Sequence, residues 1–236
     1  MADKRIKSDR DTLCENMNYA AKEAYIRLRT NIQFSFVDSQ GCRIIGVTSS
    51  RTSEGKSTTS VNLAYSLAQL GQTVLLMDCD MRRPSLNEKL GFSLSPGLSN
   101  LLTDINVVGE TVAYYSPSDN SRGFSVISSG DVPPNPSELL NSSRMKKLLE
   151  SMRTKYDYVI LDLPPVGAVA DAQTVSGLTD GMLIVVKEGS CPKNVLNECL
   201  SQLELAKCHI LGFVLNGTVE GAKKKYSSDY NYKRYS

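Results

Sequence analysis

The stretch Ile44-Ile45-Gly46-Val47-Thr48-Ser49-Ser50-Arg51-Thr52-Ser53-Glu54-Gly55-Lys56-Ser57-Thr58 decides how this chain is read. It passes from a β-branched apolar run through a polar loop into a segment where Val61, Ala64, Leu67 and Ala68 share one helical face. A Gly-Lys-Ser at a strand-to-helix junction has a specific physical use. Backbone N–H groups at the helix N-terminus surround phosphate oxygens, the lysine reaches the outer phosphates, and the serine hydroxyl ligates a divalent cation. The tripeptide by itself recurs by chance, and its position between strand and helix is what gives it weight. Ser50 stands where the motif's first glycine is usual.

Outward from this loop, further apolar runs recur at Thr73–Met77, Phe124–Ile127, Tyr158–Leu161, Met182–Val186 and Ile210–Leu215. They are Val- and Ile-rich and mostly continuous, as strands buried on both faces of a parallel sheet are. Helix-period segments separate them. One spans Ser60 to Leu70, and one runs from Pro192 to Ala206. Another opens with Asn135 as N-cap, Pro136 at the first helical position and Glu138 as the capping-box acid, with Leu139, Met145, Leu148, Leu149 and Met152 following. The expected fold class is therefore α/β, a P-loop NTPase with a mostly parallel central sheet and helices on both faces. Before the first strand, Tyr25, Leu28, Ile32 and Phe36 predict a helix at about 19–36. It packs on the sheet by default, or offers a face to another subunit.

Two acidic segments fall at strand ends, Met77-Asp78-Cys79-Asp80-Met81-Arg82-Arg83-Pro84 and Leu161-Asp162-Leu163-Pro164-Pro165. Ligands of open α/β sheets bind at the carboxyl ends of the strands, so Asp78, Asp80 and Asp162 are expected to converge with Lys56 and Ser57. Three carboxylates around a phosphate site call for Mg²⁺, which takes oxygen ligands and keeps several waters.

Composition narrows the classes. The 236 residues carry 27 basic and 25 acidic side chains and are 41% hydrophobic, enough for one core without disulfides. No apolar run approaches the roughly 20 residues of a bilayer span, and Met1–Arg10 lacks the apolar stretch of a secretory signal, so a cytoplasmic protein is expected. Cysteines 14, 42, 79, 191, 199 and 208 form no C-x-x-C pair and His209 is the single histidine. That disfavours zinc and iron–sulfur sites and leaves the cysteines as small buried hydrophobes.

Tyrosine usage is uneven. There are eleven tyrosines, five phenylalanines and no tryptophan, and Tyr226, Tyr230, Tyr232 and Tyr235 fall within the last eleven residues. The segment 223–236 has a net charge of +4, against −2 for the remainder, and is expected to be a flexible tail on a single domain, 1–222. Its fourteen residues, fully extended, reach about 45 Å.

These residues resemble the bacterial tyrosine kinases (BY-kinases) of capsular and exopolysaccharide biosynthesis, in their stand-alone cytoplasmic Gram-positive form. The resemblance runs through Leu28-Arg29-Thr30-Asn31, the Gly55–Thr58 GKST, and the D-x-D-x-R-x-P box from Asp78 to Pro84. Pro133–Leu140, Tyr156–Pro165 and the terminal tyrosines continue it. The box together with the tyrosine tail is its most specific part.

The resemblance implies ATP and Mg²⁺ as cofactors. Ser53, Glu54, Gly55, Lys56, Ser57 and Thr58 would bind nucleotide, with Asn216 at the adenine, although an Asn-Gly turn accounts for Asn216 equally well. Ser57, Asp80 and Asp162 would serve the metal. Lys56, Asp78 and Asp80 would be catalytic, with Asp78 taking the tyrosine proton. Tyr226, Tyr230, Tyr232 and Tyr235 would be autophosphorylated. Glu23 and Arg29 would serve ring-like oligomerisation within an E-x-x-R-x-x-R pattern whose middle position is Ile26 here. The implied partners are a separate transmembrane activator of the polysaccharide chain-length regulator type and a cognate tyrosine phosphatase. The partner membrane protein would recruit the chain to the inner face of the plasma membrane, and no nucleic acid is expected. The alternative is a partitioning-type ATPase, a nucleotide-dependent assembly switch with a basic membrane- or nucleic-acid-binding tail. Arg51 stands where those relatives carry a signature lysine.

Overall fold

The structure, a computed structural model, describes residues 13–37, 40–104, 111–168 and 171–218. The tail and its four tyrosines lie outside the described residues. In chain order the elements are α1 (Tyr19–Ser35), β1 (Arg43–Ser49), α2 (Lys56–Ala68), β2 (Val74–Asp78), α3 (Leu86–Leu90) and α4 (Leu98–Thr103). Then come β3 (Val112–Tyr115), β4 (Phe124–Ile127), α5 (Pro136–Leu140), α6 (Ser143–Arg153) and β5 (Tyr158–Asp162). The last are α7 (Asp171–Ser176), β6 (Gly181–Lys187), α8 (Lys193–Leu205) and β7 (Ile210–Asn216).

The strands form one sheet in the order β3-β4-β2-β5-β1-β6-β7, parallel except where β3 pairs antiparallel with β4. Side chains alternate across a strand, so neighbours in sequence enter opposite cores. Ile44, Leu75, Val159 and Ile184 face one core, closed by α4 to α8. Ile45, Leu76, Ile160 and Leu183 face the other, closed by α1 to α3. This two-sided burial is why the runs read as continuous, and each fully buried Val, Leu or Ile contributes about 1.5–3 kcal/mol.

Three local readings change. Val112–Tyr115 adds a seventh strand that the apolar runs did not show; its residues are alternately exposed and half-buried, as at a sheet edge with one face to solvent. The segment after Asn135 is two helices rather than one. Asn135 makes no cap to the helix backbone and its amide bonds Glu138 at 2.5 Å, whereas Ser142 caps α6 by accepting the Met145 N–H at 3.2 Å. Finally, α1 packs on α2 rather than directly on the sheet. Ile32 is buried with Tyr25, Leu28 and Phe36 half-buried around it, and Arg29 Nη1 donates to the Ser66 carbonyl at 2.6 Å. With α1 outside and the sheet inside, α2 is buried over nearly its whole surface, not along a single face.

Candidate active site

Parallel register builds this site. β5 lies between β2 and β1, and Asp162 pairs with Asp78 on one side and Val47 on the other, so two carboxylates end adjacent strands side by side. Two residues beyond Val47, at Ser49, β1 ends and the chain turns into α2. Gly55 makes that turn with φ +93°, and a Cβ there would sit 1.9 Å from Asn216 Nδ2. Only glycine fits both conditions. Ser53 also has positive φ, +64°, so the loop takes a left-handed residue where a side chain is disfavoured by about 1–2 kcal/mol.

Glu54 holds that shape from inside. Its Oε2 accepts the Ser50 hydroxyl at 2.8 Å and the Arg51 N–H at 2.9 Å, and its side chain is buried away from the cleft. Asn216 reaches the loop from the end of β7, donating from Nδ2 to the Glu54 carbonyl at 2.9 Å. Its Oδ1 accepts the Gly217 N–H at 2.9 Å. Both ends of this amide are thus engaged within the chain. Ser53, Gly55, Lys56, Ser57 and Thr58 line a cavity of about 700 Å³, together with Asp80, Arg82, Arg83, Ser85 and Pro164.

Beneath the cavity lies an acidic cluster with one cation. Lys56 Nζ is 2.8 Å from Asp80 Oδ2, 3.8 Å from Asp162 Oδ2 and 3.5 Å from Ser57 Oγ. Burial alone would lower the Lys56 pKa, but Asp162 and Asp80 outweigh it and raise it, keeping the ammonium charged. Asp78 and Asp162 have no exposure at all. Burial first, and the Asp162 charge second, push Asp78 up to about 7, against the pull of the Leu86 and Ser85 N–H groups and Lys56. Burial likewise raises Asp162, opposed by Lys56 and the Ser57 and Ser60 hydroxyls.

Asp162 Oδ1 takes the Ser60 hydroxyl at 3.0 Å, while Oδ2 is buried without a hydrogen-bond partner. An orphaned carboxylate oxygen beside a serine hydroxyl and an excess of negative charge fits a hydrated divalent cation. Among the described residues no group of three or more His, Cys, Asp or Glu forms a cage that could hold a metal by itself. That donor set suits Mg²⁺, which draws most ligands from water and phosphate.

Two contributors were not evident from the motifs. Ser85 donates its hydroxyl to Ser57 Oγ at 2.9 Å and its N–H to Asp78 Oδ2 at 3.2 Å, and Leu86 N–H joins it at 3.2 Å. The signal is its place just before α3, where a serine is expected to cap. Ser60, one helical turn after Lys56, faces the same side. Glu23 and Arg29 stand apart from this cluster, on α1, where Arg29 is engaged with Ser66. Cys14, Cys42, Cys79 and Cys199 are buried, while Cys191 and Cys208 are partly exposed. His209 bonds the Asp180 carbonyl, away from any nucleophile–acid pair.

Residues 42–209 match the family described as an AAA domain. The chain is 37% identical over 210 residues to the Bacillus subtilis tyrosine-protein kinase YwqD, covering 89% of this chain and 85% of that one. It is 36% identical over 200 residues to the tyrosine-protein kinase CpsD of Streptococcus agalactiae serotype Ia, covering 84% and 83%. Among solved structures, the kinase domain of the Escherichia coli tyrosine kinase ETK superposes with a TM-score of 0.82 at 33% identity, over 95% of this chain and 84% of that one. The structure of Cyanothece apo McdA, at 24% identity and a TM-score of 0.61 over 74% of this chain and 72% of that one, shares the fold. With its P-loop, paired strand-end aspartates and D-x-D-x-R-x-P box held on one sheet edge, the chain belongs to the bacterial tyrosine-protein kinase family.

Proposed function

We propose that this kinase transfers the γ-phosphoryl group of ATP to the tyrosines of its own C-terminal cluster, Tyr226, Tyr230, Tyr232 and Tyr235, between subunits, and so regulates capsular or exopolysaccharide synthesis. The observation that carries the reading is the buried cluster of Lys56, Asp78, Asp80 and Asp162 beside the phosphate loop. It has more negative charge than its own lysine balances and an oxygen, Asp162 Oδ2, left without a hydrogen bond. A nucleotide-bound Mg²⁺ completes such a cluster.

Ser53, Gly55, Ser57 and Thr58 would place their N–H groups around the β and γ phosphates, with Lys56 leaving Asp80 to hold the transferring group. Glu54 and Asn216 would keep the loop in shape, Asn216 also bordering the nucleotide base. Ser57, Asp80 and Asp162 would hold Mg²⁺, directly or through water. When bound, the metal supplies neutralisation of the phosphate charge. The tyrosine oxygen forms its bond to the γ phosphorus as the bridging β–γ oxygen leaves with ADP. The phenolic proton, of ordinary pKa near 10, passes to the Asp78 carboxylate.

The +4 tail is drawn toward a nucleotide site, and each phosphotyrosine adds about −1.5 to −2 charges, so two modifications cancel the attraction and release it. Among the described residues no helix is long and apolar enough to cross a membrane. The proposed activator is a separate transmembrane protein of the chain-length-regulator type. That partner would bring the kinase to the inner face of the plasma membrane. Ring-like self-association through Glu23 and Arg29, and a cognate phosphatase, complete the proposed cycle.

Peptide mapping after incubation with Mg-ATP and a membrane fraction carrying the activator tests it. Phosphate is expected on the tail tyrosines of the wild-type chain, and neither on Lys56→Met nor on wild type treated with a chelator. An unmodified wild-type tail sinks the reading, and a labelled Lys56→Met chain incubated alone sinks the assigned site.

A further inference from the structure

We infer that Asp171, acting through Arg82 and Ser137, is a positioning residue for phosphoryl transfer: it clamps the loop that carries Asp78 and Asp80 to the first turns of α5 and α7. The inference rests on the reading above for the roles of those two aspartates.

The loop from Cys79 to Ser85 connects β2 to α3 without regular secondary structure. Its internal ties are local: Asp80 N–H to Asp78 Oδ1 at 3.1 Å, Arg83 N–H to Asp80 Oδ1 at 3.1 Å and Ser85 N–H to Asp78 Oδ2 at 3.2 Å. Longer-range bonds tie the loop to α2 and β5, through Lys56 Nζ to Asp80 Oδ2 at 2.8 Å, the Ser85 hydroxyl to Ser57 Oγ at 2.9 Å and the Cys79 N–H to the Asp162 carbonyl at 2.9 Å, but none of these reaches α5 or α7. Arg82, between the two aspartates and α3, supplies the tie to α5 and α7.

Arg82 Nε donates to Asp171 Oδ2 at 3.0 Å, and its Nη2 lies 3.5 Å from Asp171 Oδ1 and 3.0 Å from Ser137 Oγ. The Ser137 hydroxyl in turn donates to Asp171 Oδ1. Three segments thus meet at one carboxylate: the acidic loop, the first turn of α5 and the first turn of α7.

Burial indicates why the arrangement is more than a surface ion pair. Asp171 is only 1% exposed, whereas the Arg82 side chain is 42% exposed and lines the cavity. A buried carboxylate whose planar partner is held in a two-pronged grip has one preferred geometry, and guanidinium is the group whose fork provides it. An exposed arginine tied to a fixed buried anchor sets the backbone that bears it. That backbone carries Asp80 two residues before and Asp78 four residues before. Misplacing them by about an ångström is enough to cost about 100-fold in rate.

The test uses the full chain, reading initial rates of phosphotyrosine formation across Mg-ATP concentrations with the activator-bearing membrane fraction present, and Mg-ATP affinity by calorimetry and melting temperature on the chain alone. Asp171→Asn keeps the shape and the serine bond but removes the charge. It is expected to lower the rate at saturating ATP by about 10–100-fold while changing ATP affinity by less than about threefold. Ser137→Ala leaves the ion pair in place and, if Asp171→Asn folds poorly, carries the test alone, with an expected loss of about three- to tenfold. Arg82→Ala combined with Asp171→Asn should lose no more than the worse single variant.

Unchanged saturating rates in Asp171→Asn and Ser137→Ala, even with lower melting temperatures, would overturn the inference by making the clamp purely structural. A loss confined to ATP affinity would overturn it too, making Arg82 a nucleotide contact. Wild-type protein that forms no phosphotyrosine while binding Mg-ATP would overturn both this inference and the kinase reading beneath it.

Discussion

At its amino end β1 is held by Asp180, whose two oxygens take both arms of Arg153 at 2.9 Å each and whose Oδ2 also accepts the Ile44 N–H at 2.7 Å. Nearby, Asp157 Oδ2 accepts both the N–H and the hydroxyl of Thr73 at 2.7 Å. At its carboxyl end the same strand runs into three buried carboxylates sharing one lysine. Of the described residues, the buried side-chain oxygens without a hydrogen-bond partner are Glu54 Oε1 and Asp162 Oδ2, and both belong to that end. One end spends its charges on holding strands together. The other leaves charge unbalanced where nucleotide and metal would complete it, the pattern expected of a site built for a ligand.

The two ends differ most at the Lys56 cation. Lys56→Met is expected to lower tyrosine phosphorylation by about 10³–10⁵-fold, measured as initial rate with Mg-ATP, because the transferring phosphate loses its one buried positive side chain. Next in size is Asp78→Asn, expected to cost about 10²–10⁴-fold in rate. It removes a buried charge beside Asp162 but turns an amide NH2 toward backbone N–H groups that the carboxylate now accepts, so the nucleotide-free protein should still melt as a folded protein, read by calorimetry, without a gain in stability. Gly55→Ala drives a Cβ into Asn216 and forces a left-handed alanine. Mg-ATP affinity should fall by about 10–100-fold in a titration. The smallest expected effect lies at the opposite end. Asp180→Asn should destabilise the fold by about 1–2 kcal/mol in denaturant unfolding, since the pair is partly exposed, and leave the phosphorylation rate within about twofold.

Legibility followed the physics of each part. Continuous Val and Ile runs disclosed six strands because two-sided burial demands them. Val112-Ala113-Tyr114-Tyr115, an edge strand with one wet face, left no such trace. Lys56, Ser57, Asp78, Asp80 and Asp162 could be grouped from sequence because each follows a strand whose parallel register delivers it to one edge. Ser85 and Ser60 act through side-chain positions that motifs do not encode. The Arg82 clamp joins residues 55 and 89 positions apart and depends on packing between α5 and α7. The break at Ser142 was hidden for a different reason, since the apolar spacing from Leu139 to Met152 continues across it.

Catalytic work is assigned to the carboxyl edge of the sheet alone. The most direct measurement is a paired one, in which Asp78→Asn and Asp180→Asn are compared with wild type for phosphotyrosine formation on Tyr226–Tyr235 and for melting without nucleotide. The prediction is a split: Asp78→Asn loses phosphorylation while still melting as a folded protein, whereas Asp180→Asn keeps phosphorylation and loses stability. Phosphorylation retained by Asp78→Asn, or lost by a folded Asp180→Asn, would contradict it.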